Sequence, residues 1–171
     1  MKRFSTIVSV LIILGVVYWS FADLKPAINT SKSNSETEFS LENALNHLKK
    51  ISKEPHYTGS KEHKNVQNYI VSELQKMGFE TEIQKQTAIN KKWFAATTAE
   101  NIIAKLKGTA SEKALLLLTH YDSNPHSSLG ASDAGSGVVT ILEGLRAFLA
   151  KNEIPKNDLI ILISDAEELG L

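Results

Sequence analysis

The chain has 171 residues, of which 42% are hydrophobic and 22% charged, enough for one domain of modest size. Nineteen basic and nineteen acidic residues balance to a formal net charge of zero, so nothing points to nucleic acid or to a strongly acidic partner surface. There are no cysteines, which excludes disulfides and thiolate metal ligands.

At the amino end, Phe4 to Ala22 is a run of 19 residues without a charge, preceded by Lys2 and Arg3. As a helix it extends about 28 Å, enough to cross the hydrocarbon of a bilayer. Positive charges on its amino-terminal side favour keeping that end in the cytoplasm. Residues 1–24 therefore read as a single-pass anchor with the remaining chain extracytoplasmic, and Tyr18 and Trp19 suit the membrane interface. The competing reading is a signal segment cleaved after the small-x-small sequence Ser20-Phe21-Ala22, which makes the protein secreted. Residues 25–39 are polar and rich in Ser and Asn, a linker. Asn29-Thr30-Ser31 is a glycosylation sequon by pattern.

Residues 40–171 form the domain. Leu41, Ala44, Leu45, Leu48 and Ile51 recur at helical spacing behind Ser40, a fitting cap. A second helix follows the Thr58-Gly59 turn, capped by Ser60, with Val66, Tyr69, Ile70, Leu74 and Met77 on one face and Gly78 as its stop. Phe79 to Ile83 alternates apolar and polar, as a half-exposed strand does. Lys91-Lys92 reads as a solvated loop, and Trp93 and Phe94 as packing against or covering the sheet edge rather than recognising substrate. His47, His56, His63 and His126 lie on polar or turn-rich stretches and receive no role.

The carboxyl-terminal third is the informative part. Ala114 to Thr119 (ALLLLT) is a short apolar run of the kind buried in a parallel sheet, and His120 follows at its carboxyl end. Asp158 to Ser164 (DLIILIS) is a second such run, delivering Asp165, Glu167 and Glu168 to the same edge if the two strands are parallel. Between them, Val138 to Ala150 has helical apolar spacing. A strand, helix and strand in that order make a right-handed crossover, and open α/β sheets carry their sites at the carboxyl ends of strands. Asp133, in the Gly-rich loop Gly130 to Gly137 (GASDAGSG), then faces the same crevice.

These residue types suit a two-metal hydrolytic site. A divalent metal takes imidazole nitrogen or carboxylate oxygen, and a metal pair needs a bridging carboxylate, for which Asp133 is the best candidate. A further carboxylate must stay off the metals to move a proton, and adjacent Glu167 and Glu168 offer one residue for each job. Asp122, two positions after His120, is placed to orient the imidazole. Taken singly, Asp133 also fits a helix cap and Glu167–Glu168 fit first-turn carboxylates at a helix start.

The segments THYDS, GASDAGSG and SDAEELG resemble the three signature blocks of the co-catalytic zinc aminopeptidase family (metallopeptidase family 28). That family includes aminopeptidases, glutamate carboxypeptidases, glutaminyl cyclases and membrane-anchored vacuolar or endoplasmic-reticulum proteases. The likeness extends upstream to His56–Glu80 and to Ala99–Gly108, about residues 40 to 171 in all. It implies a mixed, largely parallel α/β sheet flanked by helices, and an exopeptidase that hydrolyses peptide bonds near a free amino terminus with a two-zinc-activated water. Residue by residue it implies that His120 binds the first metal, Asp133 bridges, Glu167 is the general base and acid, and Glu168 binds the second metal.

Two departures accompany the resemblance. Ala134 stands where the family usually has Asp or Asn. The family's further acidic ligand and last histidine lie well downstream of its third block, and this sequence ends at Leu171, so each metal keeps two protein ligands instead of three. The expectation is a partial domain with an uncovered sheet edge or face, weak zinc binding and little activity. The alternatives are a catalytically dead, membrane-tethered fragment or binding protein, and a carboxypeptidase or glutaminyl cyclase on the same fold. Side-chain preference and oligomeric state are open.

Overall fold

The computed structural model describes residues 2–24, 35–110, 112–126 and 128–171. The sequon and most of the polar linker lie outside the described residues. The chain divides into two units, residues 1–32 and residues 33–171.

The first unit contains helix α1 (Lys2–Asp23). Its apolar side chains are exposed all round, from Phe4 through Ile13 to Phe21, and Phe4–Ala22 is long and apolar enough to cross a membrane.

The second unit contains helices α2 (Leu41–Ile51), α3 (Lys61–Lys76) and α4 (Ser136–Leu149), and strands β1 (Glu80–Asn90), β2 (Ala95–Leu106), β3 (Ala114–His120) and β4 (Asp158–Ser164). The expected caps are in place. Ser40 Oγ accepts from Asn43 N and Ser60 Oγ from His63 N, each satisfying a helix-end donor. Gly78, at φ 87°, turns the chain out of α3 into β1.

The strands form one sheet in the order β1-β2-β4-β3. The crossover reading is borne out: β3 and β4 run parallel, with Leu117 opposite Ile161 and His120 opposite Ser164, and α4 connects them. The expectation of a largely parallel sheet holds for that pair alone among the described strands. β1 and β2 are joined by the short link 91–94, which leaves only an antiparallel return, and β2 also runs antiparallel to β4.

One face of this mixed sheet carries the core. Ile102, Ala104, Ile161 and Ile163 pack there with Val66, Ile70 and Leu74 of α3, Val138, Leu142 and Leu145 of α4, and Ala44 and Ile51 of α2. The alternate residues point to the opposite face. There Leu116 and Leu118 on β3 remain 53% and 61% exposed, beside half-buried Ile160 and Leu162. Among the described residues nothing covers this face at Leu116 and Leu118, and β3 stands at one edge of the sheet.

Candidate functional site at the strand ends

His120 ends β3 and the Asp165–Gly170 stretch follows β4, so parallel pairing puts both at one end of the sheet. Asp122 ties them together. It is almost fully buried, and its Oδ1 and Oδ2 accept the backbone N–H groups of Glu167 (3.2 Å) and Glu168 (3.1 Å). The Nδ1 of His120 lies 3.2 Å from Asp122 O and 3.3 Å from Asp122 Oδ1. With Nδ1 so engaged, Nε2 faces Asp133 Oδ1 at 3.0 Å and Glu167 Oε2 at 3.7 Å. The hydrogen bond to Asp122, aided by that to Asp133 and the charge of Glu167, outweighs burial and lifts the His120 pKa to about 9.

Asp133 sits in the irregular turn 131–135 before α4, entered through Gly130 at φ 59°. A side chain on Gly130 would meet the His56 ring and Ser123 Cβ at 2.9 Å, so this position must be glycine for the loop to close on the 54–58 segment. Asp133 itself is extended (φ −123°, ψ 102°), and α4 begins without a side-chain cap. The helix-cap reading of Asp133 therefore does not hold. Its side chain is largely exposed, as is that of Glu167.

The two adjacent glutamates part company. Glu167 turns toward His120, whereas Glu168 Oε2 accepts from Asn124 Nδ2 at 2.8 Å. Among the described residues no three His, Asp or Glu side chains are gathered into a closed metal cage. The donor chemistry nonetheless fits zinc at one place: His120 Nε2 and Asp133 Oδ1 converge with an oriented imidazole behind them. Glu168 would have to leave Asn124 to join them.

Asp165 does not join Glu167 and Glu168 at the open edge, as its place in the sequence suggested. Ala166 adopts a left-handed conformation (φ 67°) and turns the chain, so that Asp165 points inward. There Asp165 Oδ1 accepts from His63 Nε2 (2.8 Å) and Thr58 Oγ1 (2.9 Å), and Oδ2 from Glu100 N (2.8 Å). His63 is stacked on Tyr121 at 4.6 Å. Assigning His63 and His56 no role missed this layer: both are buried, and His56 N donates to Ser123 Oγ at 2.9 Å. The Ser60 cap and the Thr58-Gly59 turn were the available signal, since they place His63 in the first turn of a helix starting at the sheet end. Asn124 had no comparable signal.

Of Trp93 and Phe94, Trp93 lies over Gly170 while 59% exposed, and Phe94, 94% exposed, is not packed.

Residues 101–171 match the peptidase family M28 model. The chain is 32% identical over 174 residues to the vacuolar membrane protease of Candida albicans, covering 99% of this chain and 20% of that protein. Among solved structures it is similar to Porphyromonas gingivalis glutaminyl cyclase (TM-score 0.68, 25% identity, 77% of this chain and 47% of the other). It is also similar to a Zn-dependent exopeptidase from Parabacteroides distasonis (TM-score 0.65, 25% identity, 78% and 49%). The family match is confined to residues 101–171, somewhat under half of the chain. The chain spans about a fifth of the curated relative's length and about half of the solved chains.

Proposed function

We propose that this chain carries the amino-terminal half of a membrane-anchored zinc exopeptidase site, acting on peptides at a free amino end. The observation that carries the reading is the convergence of His120 Nε2 on Asp133 and Glu167, with Asp122 fixing both the imidazole and the Glu167–Glu168 backbone. In this reading His120, Asp133 and Glu168 are the residues that would hold zinc. Bound zinc supplies polarisation of the scissile carbonyl and acidification of water. Glu167 would take a proton from the attacking water and pass it to the leaving amine. Asp122 acts behind them as a positioning residue, keeping the His120 tautomer and the two glutamates in register.

The residues here offer each zinc two protein ligands, so zinc binding by this chain is weak and turnover low unless further polypeptide adds ligands. Zinc analysis of Glu167→Gln and Glu168→Gln tests the division of labour. In a completed version of this protein, Glu167→Gln should abolish turnover and leave metal content nearly unchanged, and Glu168→Gln should lose about one equivalent of the two; equal losses would sink the assignment. Similarity to a glutaminyl cyclase favours a second reading, cyclisation of amino-terminal glutamine on the same site. Formation of pyroglutamyl peptide without peptide cleavage would select it.

The exposed apolar α1 supports a single span with the domain extracytoplasmic. Carbonate-washed membranes and protease protection in spheroplasts test this; a soluble product beginning at Asp23 would favour the cleaved signal instead.

A further inference from the structure

The tip of the β1–β2 hairpin, residues 88–95, presents apolar surface that the candidate site does not use. Ile89, Trp93 and Phe94 are all exposed, Ile89 at 68%. A single exposed apolar residue is ordinary, but large apolar side chains gathered at one place mark a contact surface. The charged residues of the tip are Lys91 and Lys92, both exposed as well.

This tip is held in one shape. Asn90 Oδ1 accepts the backbone N–H groups of Lys92 (2.9 Å) and Trp93 (3.2 Å), which closes the turn. Asn90 Nδ2 donates across to Gly170 O at 2.6 Å, and Trp93 rests against Gly170, where a methyl group would meet its Cε3 at 3.0 Å. Phe94 follows with φ 51°, a conformation that a bulky side chain rarely adopts. The rings are thus presented outward on a fixed turn, and little ordering remains to be lost when they meet a partner.

The residue types identify the partner. Tryptophan settles at the headgroup level of a bilayer, phenylalanine and isoleucine enter the acyl boundary, and lysine carries its ammonium group along an apolar stem to the phosphates. The lysine pair complements anionic headgroups, and the same chain carries in Phe4–Ala22 a helix long and apolar enough to cross a membrane. Glu167 and Glu168, in the turn that Trp93 touches at Gly170, are directed to His120 and Asn124. We infer that the hairpin tip is a second membrane contact, with Ile89 and Phe94 entering an anionic phospholipid surface, Trp93 at its headgroup level, and Lys91 and Lys92 on its phosphates. From the anchor reading the inference takes the nearness of a bilayer; the zinc assignment does not enter it.

The test uses the full chain in lipid nanodiscs with Trp19→Phe, which leaves Trp93 as the only tryptophan. Discs of phosphatidylcholine, with and without phosphatidylglycerol, carry brominated acyl chains that quench tryptophan at contact distance. Trp93 should be blue-shifted in the phosphatidylglycerol discs and quenched there at least about twice as strongly as in phosphatidylcholine alone. High salt on the unchanged protein, and Lys91→Gln/Lys92→Gln, should each remove that difference. Phe94→Gly, which suits the positive φ, should lower the quenching by about half or more. Absent quenching in anionic discs, or quenching equal in both lipids and indifferent to salt, overturns the inference. So does a blue shift that depends on protein concentration without bromine quenching, which assigns the tip to a second copy of the chain. Incorporation is read separately. Chain in the discs with Trp93 unquenched removes the docking and keeps the anchor; chain left in solution removes the anchor, and quenching of its Trp93 by brominated anionic vesicles then decides the docking.

Discussion

His63 Nε2 and Asp165 Oδ1 lie 2.8 Å apart although 102 positions separate them in the chain. The bond joins the first turn of α3 to the residue just after β4, behind the turn carrying Glu167 and Glu168. Asp165 is nearly inaccessible to water, so its charge depends on its three donors. Asp165→Ala strands those donors and should cost about 3–5 kcal/mol of unfolding free energy. His63→Ala, which leaves Thr58 and Glu100 N in place, should cost about 1–3 kcal/mol. Urea unfolding measures both; near-zero losses would mean that water replaces the partners.

Acid should destabilise the second unit through two identifiable carboxylates. Hydrogen bonds from Lys64 and Lys85 hold the Glu100 pKa down to about 2. For Asp165, burial acts upward, but the bonds from His63 and Glu100 N prevail and its pKa is also lowered. A carboxyl whose folded pKa is depressed contributes stability above its unfolded value, about 4, and loses that contribution as pH falls through the folded value. Stability should therefore decline from about pH 4 toward pH 2. In a Lys64→Met/Lys85→Met chain the slope over this range should be shallower, because Glu100 then titrates more alike in both states. An identical slope, followed by circular dichroism, would remove Glu100 from the account.

Asp122 is the common partner of the imidazole and of both glutamate N–H groups. Asp122→Ala should lower zinc affinity about 10–100-fold, the usual effect of removing a group that orients a ligand. Competition with a chromophoric chelator reads this directly. A loss below about twofold would place the orienting force elsewhere.

The open sheet face predicts poor behaviour in solution. Leu116 and Leu118 project from an edge strand and are more than half exposed, which favours edge-to-edge and face-to-face association. Leu116→Lys/Leu118→Lys should reduce aggregation while changing unfolding free energy by less than about 1 kcal/mol. Light scattering and denaturant titration decide it; a large loss of stability would mean that these side chains already pack in the native protein.

Much of this was legible because the relevant signals are local. ALLLLT, DLIILIS and the helical spacing between them determine a parallel pair, and a parallel pair puts His120 and Glu167 at one end whatever the remaining sheet does. Ser40 and Ser60 marked helix starts that the structure retains. The full length of the hairpin was not legible. In Glu80–Asn90, Gln84 to Thr87 are all polar and all exposed, which breaks the alternation that marks a half-buried strand. Nor was the fate of Asp165, because nothing in the letters SDAEE announces that Ala166 takes a positive φ. Buried His63 was hidden for a related reason: its partner is remote in sequence.

Ala166 sets up a division that the chain can lose by a single step. One left-handed residue between Asp165 and Glu167 sends the carboxylate before it into the protein interior and those after it toward solvent. The acidic residues are nearly contiguous in the gene yet belong to different jobs. Deleting or inserting one residue at this point would move the carboxylates by one place relative to that turn, taking Asp165 out of the slot beside His63 or Glu167 away from His120. The loop is accordingly far less tolerant of length change than of side-chain change, an unusual property for a surface turn.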